Sequence, residues 1–248
     1  MRGLHFRNQA CWCLHVLYTE GFRIEDVDIQ AQEYIPSSDG IDIDSCSGVS
    51  ITGSYISVHD DCISIKSGKD ADGRRVGRSC EDIFIENCHF GYGHGAITMG
   101  SEISGDIRNV LARRCRVDED NWAPIRFKSQ PPRGGVVEDI TFEDIAVENV
   151  RSVFDVILDW RSNADRDRVF EYADPVTALR NITLRNVHGS GKSMGRFSGY
   201  AQSPIGADVF HFENCAFDTE TGLVLQHAAP DFTGLEWTVK DGPQLIKR

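Results

Sequence analysis

The sequence predicts an all-β solenoid, a parallel β-helix forming one domain over residues 1–248, because two interleaved series of short apolar-x-apolar segments run the length of the chain. Three observations carry this. The segments recur about every 20 to 45 residues, as stacked repeats do. No helical periodicity lies between them, and they are rich in Ile, Val and Phe and bounded by Gly, Asn and Asp. An antiparallel sandwich or jelly roll also contains many short strands. It needs tight hairpins, however, and Asp-Gly occurs only at Asp39-Gly40, Asp72-Gly73 and Asp241-Gly242.

The first series opens with Ser38-Asp39-Gly40-Ile41-Asp42-Ile43-Asp44 and His59-Asp60-Asp61-Cys62-Ile63-Ser64-Ile65-Lys66. Each is an Ile-x-Ile strand with an Asp two residues before its first Ile, and the two are 22 residues apart. If 22 residues make one turn, Asp39 and Asp61 hold the same position on neighbouring turns, about 4.8 Å apart, with Asp60 beside them. Ile97-Thr98-Met99-Gly100, Ile125-Arg126-Phe127-Lys128 and, more loosely, Ile157-Leu158-Asp159-Trp160 continue the series. With the apolar positions inward, the outward row reads Asp42 and Asp44, Ser64 and Lys66, Thr98 and Gly100, Arg126 and Lys128, running from acidic to basic.

The second series begins at Phe22, Val49, Ile83, Val110, Ile140, Ile182 and Phe210, with intervals of 27, 34, 27, 30, 42 and 28 residues. Leu4-His5-Phe6-Arg7-Asn8 reads as an earlier copy, and Leu235–Val239 as a final strand pair. Unequal intervals fit turns with different loops. The longest, around Trp160 to Ala178, is expected to form a loop over the groove or at its rim, and Lys69–Ser79 is expected to form a loop that narrows it. Asn87, Asn186 and Asn214 recur at one repeat position and read as turn or ladder residues. Because Met1 leads almost directly into a repeat, the solenoid is expected to lack some N-terminal turns.

Charge and cysteine usage narrow the function. A net charge of −12 argues against nucleic acid, which requires a positive footprint, so an acidic ligand would depend on local cations such as Lys66, Arg126, Lys128 and Arg133. No run of about 18 apolar residues suggests a membrane span, and Met1–Phe6 lacks the apolar core of a signal peptide. Of the eight cysteines, Cys88, Cys115 and Cys215 share a repeat position with Val27, Ile145 and Val187, so most are expected to be free core thiols.

Two carboxyl groups across a glycosidic bond are the basic equipment of most glycoside hydrolases, and crowding raises the proton affinity of one member. Asp39, Asp60 and Asp61 meet that need in the register proposed. His94, between Gly93 and Gly95, could orient one of them, while Arg126 and Lys128 could hold a sugar carboxylate. Taken singly, Asp39 would be a turn residue, His94 a loop histidine, and Arg126 and Lys128 surface charges. Trp160 and Arg161 fit either a sugar subsite or a packed rim.

These four motifs resemble the polygalacturonase family of pectin hydrolases, glycoside hydrolase family 28. That family carries Asn-Thr-Asp, Gly-Asp-Asp, Gly-His-Gly and Arg-Ile-Lys in this order; the counterparts are Ser37-Ser38-Asp39, His59-Asp60-Asp61, Gly93-His94-Gly95 and Arg126-Phe127-Lys128. The match covers residues 36 to 130, with weaker likeness to both ends. The resemblance implies a right-handed parallel β-helix that hydrolyses α-linked galacturonate with inversion and without metal or other cofactor. It implies Asp60 as general acid, Asp39 and Asp61 as activators of water, His94 as support for the acid, and Arg126 and Lys128 as ligands of the galacturonate carboxylate. Lys66 and His59 join them as expected substrate contacts. His59 replaces a glycine and places a possible charge beside the acid. The implied partner is a pectic polysaccharide or oligogalacturonide, and the family's habit implies a secreted or periplasmic setting. Two alternatives stay open: a calcium-dependent pectate lyase, and a noncatalytic carbohydrate-binding solenoid.

Overall fold

The computed structural model describes residues 1–161 and 167–248. Among the described residues are twenty strands and one short helix, and every pairing between named strands is parallel. The strands coil into a right-handed parallel β-helix, the hand that crossovers between parallel strands almost always take.

The N-terminal turns contribute three strands each where the sequence suggested two, and in later turns these fuse into longer strands such as Val136–Val150 and Ala178–Ser198. The first stack contains Leu14–Leu17, Ile41–Asp44, Asp61–Lys66, Gly95–Gly100, Ile125–Lys128 and Phe154–Ile157. The second stack is aligned as the repeat predicts, with Ile24, Ile51, Ile85, Ala112, Phe142, Leu184 and Phe212 on successive rungs. A third stack passes through His5–Arg7, Asp28–Gln30, Tyr55–Ser57 and His89–Phe90. Leu4–Asn8 belongs to this third stack, since Phe6 pairs with Ile29; it is not a copy of the second-stack motif.

The corner between the second and third stacks explains the recurring asparagines. Asp26, Asn87, Arg114, Asp144, Asn186 and Asn214 all have φ between 52° and 54°, a left-handed conformation that Asn and Asp adopt at lower cost than most residues. Their amides also link the rungs: Asn214 donates to Asn186 at 2.8 Å and Asn186 to Asp144 at 3.0 Å. The bend lets the chain change direction without a loop, and it hides the third stack by leaving so few residues for it.

Inside, like residues stack on like. Ile41, Ile63, Ile97 and Ile125 form one buried column, and Ile43, Ile65, Met99 and Phe127 another. Burying each such side chain contributes about 1.5 to 3 kcal/mol. Toward the C-terminal turns, aromatic residues widen the core: Phe127 packs edge-on against Phe142 and Phe210, with ring centres 6.4 and 6.0 Å apart. All eight cysteines are free, and six are buried, Cys115 lying in the column of Ile145 and Val187.

Two further expectations are corrected. The first-stack strand that follows Ile125–Lys128 is Phe154–Ile157, three residues earlier than Ile157–Trp160, so Asp155 takes the outward position next to Arg126. Lys69–Ser79 contains a helix, Asp70–Val76, ended by Gly77 at φ 62°. Arg74 fastens it by donating to the carbonyls of Pro132 and Arg133, and Asp70 pairs with Arg133. Of the loop expected at Trp160 to Ala178, residues 162–166 lie outside the described residues; Asp167–Thr177 contains no strand.

Candidate active site

Asp39 and Asp61 stand on adjacent rungs as the 22-residue spacing predicts. Ile41 pairs with Ile63, and the Gly40 N–H donates to the carbonyl of Asp61 at 3.0 Å. On the next rung the same column is occupied by Gly95. A Cβ there would lie 2.9 Å from a carboxylate oxygen of Asp61 and 3.1 Å from the Arg126 side chain. Glycine therefore makes room for an internal carboxylate to reach across the sheet.

Asp61 is fully buried and answered by cations. Thr98 Oγ1 donates to it at 2.9 Å, Arg126 Nη1 at 3.0 Å, and Lys128 Nζ lies 2.7 Å away. Arg126 donates from Nε to Asp155 at 3.0 Å, and Asp155 also accepts from Arg196 at 2.8 Å. This row across four turns arises because Thr98, Arg126, Asp155 and Arg196 share one outward column. The two cations expected to await a ligand are already engaged with Asp61. Trp160 covers Lys128, with its ring centre 5.4 Å from Nζ.

Asp60 differs from its neighbours in exposure. Its side chain is 24% exposed, against none for Asp61, and its carboxylate lies 3.5 Å from His94 Nδ1. Burial would raise its proton affinity, but contact with His94 and the charges of Lys128 and Arg126 outweigh that. Asp60 is held well below the ordinary carboxylate range and is ionised in the unliganded chain. The protons lie deeper: burial, then the charges of Asp42, Asp61 and Asp60, push Asp39 up to about 9. Asp42, also buried, is raised to about 7 despite the Lys66 ammonium 3.6 Å away.

Lys66 belongs to a buried chain of charges. Its Nζ lies 3.0 Å from Glu102 and 4.7 Å from the centre of the Trp12 ring. Burial opposes its charge, but Glu102, Asp42, Asp39 and Asp61 overcome this and hold it protonated. Glu102 stands 3.7 Å from Arg133, which is itself paired with Asp70 of the helix. His59 packs its ring 4.9 Å from His94. Burial, then the neighbouring His94, lower its proton affinity, so the charge expected beside Asp60 is disfavoured.

The fold thus gathers Asp39, Asp60, Asp61, His94, Arg126 and Lys128 into one cluster, with Lys66 and His59 at its sides. Sequence reasoning missed Asp155, Arg196 and Glu102, and it placed Asp42 in the outward row without a role. Only the alternation of Phe154-Asp155-Val156-Ile157 could have flagged Asp155. Asp39, Asp60 and Asp61 each present an oxygen within 4.8 Å of the others, close enough to hold a cation. Arg126 and Lys128 already balance Asp61, however, and Asp39 keeps its proton, so the donor set suits a metal poorly.

Comparison with known proteins extends the likeness seen in the four motifs. The chain is 30% identical over 208 residues to a probable polygalacturonase of Vitis vinifera, covering 82% of this chain and 41% of that protein. It is 29% identical to a polygalacturonase of Ralstonia nicotianae over 75% of this chain and 34% of that one. The crystal structure of a hyperthermoactive exopolygalacturonase from Thermotoga maritima superposes with a TM-score of 0.73 at 29% identity, covering 91% of this chain and 48% of the other. The family 28 exopolygalacturonase of Yersinia enterocolitica superposes with a TM-score of 0.79 at 18% identity, a likeness of fold. The chain spans less than half the length of each of these proteins. The profile of glycosyl hydrolases family 28 matches residues 1–207, well beyond the motif region, and the chain belongs to that family.

Proposed function

We propose that this protein hydrolyses α-linked galacturonate in pectic polysaccharide or oligosaccharide, with Asp60 as general acid and with inversion at the anomeric carbon. The observation that carries this reading is that Asp60 alone of the crowded trio faces the groove, within 4.8 Å of a carboxyl that keeps its proton.

A galacturonate carboxylate reaching Arg126 and Lys128 shares the charge that now depresses Asp60. The proton affinity of Asp60 then rises, and it draws the proton held by Asp39. Asp60 passes that proton to the glycosidic oxygen as the bond to the anomeric carbon breaks. Water attacks the opposite face and gives its proton to the emptied Asp39 carboxylate, which restores the starting state. His94 positions Asp60 throughout.

The condition of the two buried carboxyls supports inversion. The proposed acid and base, Asp60 and Asp39, present oxygens within 4.8 Å of each other, tighter than the roughly 6.5 to 9.5 Å usual between the two carboxyls of inverting enzymes and nearer the roughly 5 to 5.5 Å of retaining ones. A covalent nucleophile must nonetheless be free to reach the anomeric carbon, and Asp61 is held by Thr98, Arg126 and the Lys128 ammonium while the Asp39 side chain is buried. Water is left as the attacking group.

Incubation with de-esterified polygalacturonate tests the reading. Reducing ends should appear without the ultraviolet absorbance of unsaturated products, and Asp60→Asn should lower the rate by about 10² to 10⁴. Absorbance would identify a lyase instead. Folded protein that yields neither signal from polymer or oligomers rules out the hydrolase, and an initial α-anomer by proton NMR rules out inversion.

A further inference from the structure

Cys88 and Cys115 occupy one column on adjacent rungs. The strands before them pair from Cys80 with Ile107 to Glu86 with Arg113, and just beyond, the Arg116 N–H donates to the carbonyl of Cys88 at 3.0 Å. Each cysteine follows a corner residue in the left-handed region, Asn87 at φ 53° and Arg114 at φ 52°. The matching bends turn both side chains into the core, where they are 2% and 3% exposed. A step of one rung in register sets the Cα atoms about 4.8 Å apart, inside the roughly 4.4 to 6.8 Å that a disulfide spans.

The two thiols also meet. A hydrogen bond between them lowers the proton affinity of Cys88 and, together with burial, raises that of Cys115. Their other contacts are weak thiol bonds to the carbonyls of Glu86 at 3.4 Å and Arg113 at 3.3 Å. Cys46 and Cys80 are a second pair in register, but Cys46 turns to the carbonyls of Val16 and Asp44, each at 3.2 Å, and Cys80 to that of Ile43 at 3.6 Å. The rung of Cys88 runs on through His89–Phe90 to His94, and that of Cys115 ends at Val117 and leads to Arg126 and Lys128. A bond between them would staple the turn of the histidine to the turn of the two cations.

We infer that Cys88 and Cys115 are an oxidation site, a thiol pair that a small-molecule disulfide such as oxidised glutathione converts into a cystine joining adjacent rungs. One thiolate attacks the oxidant and releases a first glutathione; the second thiolate attacks the mixed disulfide and releases another. Two S–H bonds and the S–S bond of the oxidant break, one S–S bond forms in the protein, and the two electrons and two protons leave with two reduced glutathiones. Because both thiols are buried, the exchange takes place as the rungs close or when they open. The site stands whether or not the chain is a hydrolase.

Refolding from urea in glutathione buffer and, separately, in dithiothreitol tests it, followed by alkylation of the remaining thiols and peptide mapping. Two of the eight thiols should be lost in glutathione, with the peptides of Cys88 and Cys115 joined. The oxidised protein should melt about 5 to 12 °C above the reduced one, because the bond closes a loop of 27 residues in the unfolded chain. Cys88→Val and Cys115→Val, which carry a residue the column already holds at Val27 and Val187, should melt alike in both buffers, while Cys46→Ala should keep the difference. Prolonged incubation of the native protein with oxidised glutathione should give the same joined peptides without any refolding step. Recovery of all eight thiols from both treatments, a bond between any other pair, or a melting difference that survives Cys88→Val would overturn the inference.

Discussion

Lys128 holds its ammonium 2.7 Å from a carboxylate oxygen of Asp61, whose side chain has no solvent exposure. An ion pair this deep is costly to break from one side, because the remaining charge stays buried. Lys128→Met should therefore destabilise the protein by about 3 kcal/mol at neutral pH, with Arg126 answering Asp61 alone. Asp61→Asn combined with Lys128→Met should recover part of this. Urea unfolding of the four proteins in a double-mutant cycle measures the coupling.

Asp39 and Asp42 make stability depend on pH in the direction opposite to an ordinary salt-bridged acid. Their folded-state values, about 9 and about 7, lie above the roughly 3.9 of an unfolded Asp, so the folded chain holds more protons between these limits. Stability is greatest with respect to these groups below about pH 4 and is lost as pH rises through 7 and 9. Asp60, depressed in the fold, contributes the reverse, losing stability only as pH falls below the ordinary carboxylate range. Asp39→Asn, which imitates the neutral acid, should raise the melting temperature at pH 8 by about 4 to 8 °C, from on the order of 2 kcal/mol, and change little at pH 4. Melting curves across pH 4 to 9 check the sign.

Gly95→Ala places a methyl group against Asp61 and Thr98. Overpacking of this kind costs about 1 to 3 kcal/mol, but the larger effect should be on turnover, because Asp61 is pushed from Arg126. A fall of about 100-fold in kcat with a modest loss of stability is expected from kinetics and melting run side by side.

Arg133 is nearly without exposure, and it joins helix Asp70–Val76 to Glu102 and, through it, to Lys66. Arg133→Leu should release the helix. Amide exchange over residues 70–77 should then accelerate more than in the first-stack strands, with an overall loss of about 3 kcal/mol.

The corner ladder gives a simpler prediction. Asn186→Ala should cost about 1 to 2 kcal/mol, through a left-handed φ of 52° and a lost side-chain bond to Asp144, while Asn186→Gly should cost less.

The register of the carboxylates was legible because Asp39 and Asp61 each sit at a fixed offset from an Ile-x-Ile strand, and a strand's period of two turns spacing into geometry. The Asn corner was legible for a similar reason, since only a few residue types fit a left-handed bend. The third stack was not, because strands such as His89–Phe90 are too short to show alternation. Phe154–Ile157 was misplaced because Ile157-Leu158 offered an equally apolar start three residues later. The helix Asp70–Val76 has no apolar face to read; what holds it is a pair of charges, Asp70 to Arg133 and Arg74 to two carbonyls, supplied by residues some 60 positions away. The protonation of Asp39 was legible only as crowding, since burial is its largest cause and burial is a property of the whole fold.

A solenoid gives each side chain an address made of a rung and a column, and sequence distance does not enter it. Asp61 meets Arg126 across 65 residues as readily as it meets Asp39 across 22, because the intervening chain leaves and returns at the same rung height. Insertions of any length at the corners should therefore be silent for the chemistry. The gain or loss of one whole turn between Asp39 and Arg126 would offset the partners by about 4.8 Å, more than a hydrogen bond spans, so diversification of this scaffold is free in loop length and forbidden in turn count within the site.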